Sequence, residues 1–185
     1  MIYHFQIANL IESFGDKENA KDIWDAAAIG SLPAVIFFLK EDPNNINKNE
    51  DNDYNWTPMI QASRNGHLKI VQYLLVNGAD IDGVNSYGNT ALMWATLKGH
   101  TSIVEFLLEK GAKINLQSIS NRTALHYAVD GNKLDIVKIL IHNGANQDLK
   151  DENGKTPLDW AKKLRRTSIL EFLTSYKISN PGGGM

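Results

Sequence analysis

The 185-residue sequence contains no cysteine. This absence excludes disulfide bonds and thiolate metal sites, and it fits a reducing compartment. Long apolar runs are also missing, and the longest ones fall far short of the roughly 20 residues that span a bilayer. The N-terminal segment MIYHFQIANLIESFGDKE has neither the basic leader nor the small-residue cleavage site of a signal peptide. We therefore expect a cytoplasmic protein that does not insert into a membrane.

Charge of one sign is not in excess, because 19 Lys and Arg residues stand against 21 Asp and Glu residues. A net charge of −2 provides no bulk attraction to nucleic acid or to an anionic membrane. The sequence has no phosphate-binding glycine loop and no serine nucleophile elbow. Its five histidines form no His-x-x-x-His pair and no cluster with acidic residues. We predict a non-catalytic protein with no cofactor, no bound metal and no nucleic-acid partner.

The most informative stretch runs from Tyr87 to Lys113 and predicts a pair of short helices. Thr90 is placed to cap the first helix, because its hydroxyl can accept from the backbone N–H groups of the first turn. Gly99 and His100 break that helix. The second helix follows with apolar residues at helical spacing, and Gly111 ends it. Such a pair cannot bury its own apolar face, so it needs neighbours of the same kind.

Those neighbours recur at a fixed interval of 33 residues, which is the step from Thr57 to Thr90. The recurring positions are a capping threonine, an alanine in the first helix, an aliphatic residue in the second helix and a closing glycine. They are Thr57, Thr90, Thr123 and Thr156; Ala62, Ala95, Ala128 and Ala161; Val71, Val104, Val137 and Leu170; and Gly78, Gly111 and Gly144. A fixed period of this length with paired helices indicates a solenoid repeat protein.

The pattern NWTPMIQASRNGHLKIVQYLLVNGADI, which recurs in register, resembles the ankyrin-repeat family over about residues 22–175. The resemblance implies an all-α ankyrin-repeat solenoid, whose 33-residue helix–turn–helix repeats are joined by β-hairpin loops. The predicted ankyrin-repeat domain covers residues 21–176, with repeats at about 21–51, 52–84, 85–117, 118–150 and 151–176. Residues 1–20 are predicted to form an N-terminal capping helix, and residues 177–185 a flexible tail.

Two segments allow a second interpretation. Apolar residues between positions 2 and 14 lie close to helical spacing, as in an amphipathic helix that covers the end of the stack. The alternative is a membrane-surface helix, which needs lysine and arginine on its polar face, and none precedes Lys17. The basic run KKLRR at 162–166 is interpreted as a solvated face of the last repeat. Its alternative is a nuclear-import or anion-binding patch.

The register also predicts local details. We expect positive φ two residues before each threonine, at the hairpin tips Asn55, Gly88, Asn121 and Gly154. Asn132 stands where Gly99 breaks the preceding repeat, and we expect Gly131 beside it to share the strain. The imidazole of His126 is expected to bond the hydroxyl of Thr123.

The resemblance implies that hairpin tips and first helices line a concave groove that binds partner proteins. We assign to this groove Tyr54, Trp56, Tyr87, Trp94, Lys98, Arg122, Tyr127 and Trp160. Gln61, Arg64 and Asp130 are further polar residues of the same face. Because Trp94, Tyr127 and Trp160 stand at the same position of successive repeats, we expect them to stack as an aromatic ladder. The alternative is that these rings only fill space between repeats.

The predicted function is a monomeric interaction module that binds a partner protein or an extended peptide without catalysis. One alternative is the regulatory or substrate-recruiting region of a larger enzyme, because a similar tryptophan occurs in the ankyrin domains of some protein palmitoyltransferases. The other is a nuclear regulator, which rests on the KKLRR run alone. Asn115 also resembles a hairpin asparagine that is hydroxylated in some ankyrin repeats. Leu107 and Ile114 match that pattern, and Lys113 departs from it.

Overall fold

The computed structural model describes residues 20–179, which form five consecutive pairs of α-helices. The helices are α1 Ile23–Ile29, α2 Leu32–Glu41, α3 Pro58–Asn65, α4 Leu68–Val76, α5 Ala91–Lys98, α6 Thr101–Glu109, α7 Ala124–Asp130, α8 Leu134–His142, α9 Pro157–Lys163 and α10 Thr167–Ser179. A 3-10 helix, Pro43–Ile46, lies in the long connection after α2. The all-α solenoid is confirmed, and α10 extends past the predicted repeat end at residue 176. The predicted capping helix lies outside the described residues, as does the end of the tail.

The first helix of the second to fifth repeats begins at a threonine, and that of the first repeat begins at Asp22, whose carboxylate accepts the backbone N–H of Asp25 at 2.8 Å. The hydroxyl of Thr57 accepts the backbone N–H of Ile60 at 3.2 Å, and Pro58 fills the first helical position, where no N–H is needed. In the fourth repeat Nδ1 of His126 lies 2.9 Å from the hydroxyl oxygen of Thr123, which confirms the predicted contact. These contacts provide partners at a helix end, where backbone N–H groups have none within the helix.

The two helices of a pair are separated by a residue in the left-handed conformation. Gly66 and Gly99 have φ values of 86° and 89°. Asn132 takes this place in the next repeat with a φ of 54°, as predicted. The expectation for Gly131 was wrong, because its φ is −69° and Asn132 alone adopts the left-handed conformation. Arg165 occupies the same place in the last repeat with a φ of 54°, although a Cβ makes this region unfavourable.

A side chain from the helix break crosses to the preceding repeat. In three cases its nitrogen bonds a backbone carbonyl oxygen in the preceding first helix. The pairs are His67 with Ala28 at 3.0 Å, His100 with Arg64 at 3.1 Å, and Arg166 with Asp130 at 3.0 Å. Because a carbonyl oxygen only accepts, both histidines donate through Nε2. These bonds supply partners to carbonyls near a helix end and hold neighbouring repeats in register.

The connections between repeats are hairpin loops with tight tips, closed by backbone bonds such as that from Ser118 to Arg122 at 3.0 Å. Within residues 20–179, bridge pairing outside helices is limited to Val84 with Thr90. The tips Asn55, Gly88, Asn121 and Gly154 have positive φ values of 51°, 70°, 56° and 71°, as predicted. Successive tips are joined by single backbone bonds, from Ser86 to Tyr54 at 3.1 Å, from Ile119 to Tyr87 at 3.0 Å and from Glu152 to Ser120 at 3.0 Å.

The first helices pack more closely on one another than the second helices do. Small buried residues such as Ala95 and Ala128 allow this approach, whereas the second helices bury larger side chains such as Leu107 and Leu140. Closer packing on one side curves the stack, so the first helices and hairpin tips lie on the concave face. Along the described part of the chain, every helix is too short or too polar to cross a membrane.

Leu107 is fully buried in α6, and we expect Leu107→Ala to lower the free energy of unfolding by about 2–5 kcal/mol. The loss combines the burial of the deleted methyl groups with the cavity that remains. Lys110 is exposed directly after α6, so Lys110→Ala is the control and should change stability by about 0.5 kcal/mol or less. Urea unfolding measures both variants. Equal losses would show that the buried face of α6 is assigned wrongly.

Arg165 adopts a conformation that suits glycine, so we expect Arg165→Gly to stabilise the protein by about 0.5–1 kcal/mol. Glycine removes the clash of the Cβ, and its greater freedom in the unfolded chain offsets part of this gain. Lys162→Gly is the matched control, because it removes a neighbouring positive charge from inside α9 and should cost about 1 kcal/mol. Thermal unfolding measures both, and a lower Tm for Arg165→Gly would contradict the strain at this position.

Candidate functional site

The concave face carries two positions that recur in successive repeats. One directly precedes the capping threonine, and the other follows that threonine by seven residues. The four pairs are Trp56 with Arg64, Asn89 with Leu97, Arg122 with Asp130, and Lys155 with Lys163. In the second repeat the pair makes a cation–π contact, and in the fourth it makes an ion pair. The same two backbone positions therefore support different chemistry along the groove.

The cation–π contact belongs to the tryptophan–arginine cluster, which consists of Trp56, Arg64 and Trp94. The guanidinium carbon of Arg64 lies 5.4 Å from the ring centroid of Trp56 and 5.6 Å from that of Trp94. The two indole rings are 5.0 Å apart at an interplanar angle of 59°. Trp56 is only 9% exposed, whereas Arg64 and Trp94 are half-buried. Trp56 therefore forms the buried base of the cluster, and Arg64 and Trp94 form its accessible surface.

Donors in this cluster have no acceptor. Among the residues that the structure describes, no carboxylate lies within ion-pair distance of Arg64 and no acceptor takes a hydrogen bond from its guanidinium. The Nε atom of Arg64 and the Nε1 atom of Trp94 are both buried and unpaired. A buried donor without a partner costs free energy, because its hydration has been lost without replacement. A ligand that brings an acceptor would recover this loss.

The paired cluster, in the fourth and fifth repeats, consists of Arg122, Asp130, Tyr127 and Trp160. The guanidinium carbon of Arg122 lies 4.3 Å from the ring centroid of Tyr127 and 4.2 Å from that of Trp160. Its Nη2 donates to Oδ2 of Asp130 at 2.7 Å. The Nε of Arg122 is buried and unpaired, as it is in Arg64, so the carboxylate is what distinguishes the two arginines. The hydroxyl of Tyr127 donates to Oδ1 of Asn89 at 2.7 Å.

The predicted ladder of Trp94, Tyr127 and Trp160 is not formed, because arginine lies against the rings instead. Helices pack roughly 8–10 Å apart, which is wider than the roughly 4.5–7 Å of a direct ring contact. A flat guanidinium fills that gap, as Arg122 does against Tyr127 and Trp160. Tyr127 was also expected to face a partner, but it is only 9% exposed and mainly supports its neighbours. Part of the space-filling alternative is therefore correct.

A different aromatic row is continuous, and it runs from the hairpin tips into the groove. Its members are Tyr87, Tyr54, Trp56 and Trp94, with successive ring centroids 6.0, 5.9 and 5.0 Å apart. Tyr54 and Tyr87 are 48% and 51% exposed. Ile119, on the next tip, is 72% exposed and lies against Gly88. This aromatic row joins an exposed apolar edge to the unpaired donors of the tryptophan–arginine cluster.

Hydrogen bonds hold Trp160 in place at the other end of the groove. Its Nε1 donates to Oδ2 of Asp151 at 2.9 Å, and Oδ1 accepts the N–H groups of Asn153 and Lys155 at 2.9 and 2.8 Å. Burial alone would raise the pKa of Asp151, but these bonds outweigh it and keep the pKa below its usual value. The carbonyl of Lys155 lies 3.1 Å from Nε2 of His126. Burial lowers the pKa of His126, which is fully buried.

The partner contacts assigned from the sequence stay predictions, and two further residues of this face, Arg64 and Ile119, were not among the eight chosen. Lys98 is exposed at the end of α5 and borders the groove. Arg64 was placed on the inner face but not among the chosen eight, although it occupies the helix position that carries Asp130 in the fourth repeat. Ile119 was missed, because an isolated apolar residue in a tip has no periodic signal.

Asn115, the candidate for hydroxylation, links its loop to the next repeat. Its Nδ2 donates to the carbonyl of Gly144 at 3.4 Å, and its Oδ1 accepts the N–H of Asn146 at 2.8 Å. Asp82, at the equivalent position of the preceding repeat, accepts the N–H of Lys113 in the same way at 3.0 Å. Both polar ends of the Asn115 amide therefore have a structural role, and its hydroxylation stays a prediction.

Comparisons with known proteins match the repeat region. A family model for ankyrin repeats (3 copies) matches residues 23–118 and 116–181. Similar curated proteins include the NAD-capped RNA hydrolase NUDT12 of Homo sapiens, which is 38% identical over 60 residues, or 32% of this chain. The sex-determining protein fem-1 of Caenorhabditis elegans is 37% identical over 65 residues. The ankyrin repeat and SAM domain-containing protein 6 of Rattus norvegicus is 38% identical over 64 residues. The chain spans only 13%, 10% and 7% of these three proteins.

The burial of His126 makes stability depend on pH. In the folded protein Nδ1 accepts the N–H of Thr123 at 3.2 Å and Nε2 donates to Lys155, an arrangement that requires the neutral ring. Because burial lowers the folded pKa below the unfolded value of 6.5, this stability is present above that value and is lost as the pH falls through it. We expect the urea midpoint to fall between about pH 7.5 and pH 5.

The control for this prediction is His126→Gln, which removes the titrating ring and should make the dependence shallower over the same interval. The neighbouring carboxyl of Asp151 titrates below this window, because its hydrogen bonds outweigh burial and lower its pKa. Equal slopes for the variant and the wild-type protein would contradict a role for His126.

Proposed function

Because the chain belongs to the ankyrin-repeat family, we propose that it binds an extended segment of a partner protein along its concave face. The proposed role is that of a non-catalytic interaction module, which acts as a cytoplasmic monomer. The observation that carries the proposal is the tryptophan–arginine cluster, whose buried donors have no acceptor within residues 20–179. The aromatic row beside it supplies apolar contact area that is accessible to a partner.

The side chains of this face are those that stabilise protein interfaces. Tryptophan, tyrosine and arginine supply much of the energy in such contacts, because they bury a large area at a small cost in side-chain entropy. The proposed contact residues at one end are the exposed Tyr54, Tyr87 and Lys98 and the half-buried Trp94. Arg122 and Trp160 are the proposed contacts at the other end. The more deeply buried Trp56 packs beneath Trp94 and Arg64, and Tyr127 packs beneath Arg122.

An extended segment fits the spacing of these contacts. Residues on one face of an extended chain recur at about 6.6 Å, because the chain rises about 3.3 Å per residue. Neighbouring rings in the aromatic row are 5.0–6.0 Å apart. Alternate side chains of a bound segment can therefore contact the exposed rings of Tyr87 and Tyr54 in turn. Its other side chains point to solvent and are free to vary.

The second candidate is the recruiting region of a larger enzyme. The observation in its favour is that the chain spans 13% or less of the relatives described above. The nuclear alternative stays a prediction, and part of its basic run contributes to the fold. Arg166 donates to the carbonyl of Asp130 at 3.0 Å, and Arg165 forms the left-handed break before α10.

We expect Trp94→Ala to weaken partner binding by about 1–3 kcal/mol, because it removes the ring that lies over Trp56 and Arg64. Stability should fall less than in Leu107→Ala, since Trp94 is only half-buried. The tagged chain is first used to isolate its partner from native cells. Isothermal titration then measures affinity, and urea unfolding measures stability.

Phe106→Ala is the matched control. It removes a half-buried aromatic side chain from the same repeat, but from the second helix, away from the concave face. Phe106→Ala should therefore lower stability and leave affinity unchanged. If Trp94→Ala leaves affinity unchanged while Tyr54→Ala abolishes it, the partner binds at the hairpin tips and not in the groove.

A further inference from the structure

We propose that the tryptophan–arginine cluster receives one acidic side chain, Asp or Glu, from the extended partner segment. The inference rests on the proposed function and deepens it, because it names chemistry that the partner must carry. An apolar side chain of the same segment lies about two residues away, against the aromatic row.

The first argument is the difference between the two arginines. Arg64 and Arg122 each lie over two aromatic rings, at 4.2–5.6 Å from guanidinium carbon to ring centroid. Arg122 has the carboxylate of Asp130 at 2.7 Å. Arg64 has no carboxylate partner in the described part of the chain. The two clusters are alike in their rings and cation, and the tryptophan–arginine cluster lacks the anion.

A neighbouring acidic residue is already engaged and does not fill this place. Glu50 lies beside the cluster, since its backbone N–H donates to the carbonyl of Trp56 at 2.7 Å. Its carboxylate accepts from Nε2 of Gln61 at 3.3 Å and lies outside ion-pair distance of Arg64. The guanidinium edge therefore stays available to an anion that approaches from the groove.

The second argument is the unpaired indole of Trp94. Nε1 of Trp160 donates to Asp151 at 2.9 Å, and Nε1 of Trp24 donates to the carbonyl of Lys48 at 3.1 Å. Nε1 of Trp94 is buried without an acceptor in the same cluster as Arg64. A carboxylate has two oxygens and only accepts, so one group can serve the accessible edge of the guanidinium and, once the side chains that cover it move aside, the indole as well. A neutral hydroxyl or amide would satisfy fewer of these donors and leave the cation uncompensated.

The third argument fixes the position of the apolar neighbour. The ring centroid of Tyr54 lies 5.9 Å from that of Trp56, and the guanidinium carbon of Arg64 lies 5.4 Å from the same Trp56 centroid, so Tyr54 and Arg64 lie at most about 11 Å apart. In an extended chain, side chains on one face recur at about 6.6 Å and then at about 13 Å, and only the first of these steps falls within that limit. The expected motif is an acidic residue with an aliphatic or aromatic residue at the second position before or after it.

The test uses the whole protein and a displayed library of short random peptides. We expect the selected peptides to be enriched in Asp or Glu two residues from an apolar residue. A synthetic copy of the best peptide is then compared with a copy whose acidic residue is changed to the amide. Fluorescence anisotropy should show about a tenfold loss for the amide peptide. This comparison needs no change in the protein.

Arg64→Gln should weaken the acidic peptide by about the same factor and leave the amide peptide unaffected. The matched control is Lys69→Gln, which removes one positive charge from an exposed position on α4 of the same repeat. It should change the affinity for the acidic peptide by less than about twofold, because its field is screened by salt. Thermal unfolding of each variant confirms that binding is compared between folded proteins.

The outcomes separate this inference from the proposed function. Peptides that bind the concave face without an acidic preference overturn the inference and leave the proposed function in place. An acidic preference that persists in Arg64→Gln also overturns it, because another cation then receives the carboxylate. A library that yields no peptide sensitive to Trp94→Ala overturns the proposed function and this inference together.

Discussion

The contact on which the rest of the structure depends is the packing of each first helix against the first helices of its neighbours. These helices have only seven or eight residues, which is too short for stability alone in water. Threonine, or Asp22 in the first repeat, caps one end, and a left-handed residue follows the other. Fully buried residues such as Ala95 and Ala128 then let neighbouring helices approach closely. Groove geometry and stability therefore arise from the same contacts, so a change that loosens one helix interface also displaces the side chains that line the groove.

Helix spacing also explains why arginine has so large a part in this groove. Rings at equivalent positions of successive first helices are held too far apart to touch, because packed helices are roughly 8–10 Å apart. Direct ring contacts occur between the hairpin tips, as between Tyr54 and Tyr87 at 6.0 Å, or where residues of different register meet, as between Trp56 and Trp94 at 5.0 Å. Elsewhere a guanidinium lies against both rings, as Arg122 does against Tyr127 and Trp160. The aromatic face is thus a set of rings and cations, and each cation needs an anion or open water at its edge.

The repeat period, the helix pairs and the caps could be predicted, because each follows from local chemistry that recurs at a fixed interval along the chain. The left-handed positions of Asn121 and Asn132 followed from the same register. The arginine contacts could not be predicted, since periodicity fixes where a side chain is attached and not where its far end lies. Arg64 is attached near a helix end and Arg122 beside a hairpin tip, yet both lie over two rings. Their different charge balance depends on long, flexible side chains and on rotamers that have no sequence signal.

The two recurring positions of the concave face show which side chains can vary without changing the packing of the repeats. They carry Trp56 with Arg64, Asn89 with Leu97, Arg122 with Asp130, and Lys155 with Lys163 in successive repeats. All four repeats keep their capping threonine, their helix break and their buried aliphatic residues, so the stack tolerates each combination. Where the pair is Arg122 with Asp130, the charges neutralise each other and the arginine is fixed against its rings. Where the pair is Trp56 with Arg64, the guanidinium has no carboxylate partner within the described residues. The helix stack is therefore held together by residues other than those that set the groove charge, although the buried, unpaired Nε of Arg64 lowers stability somewhat.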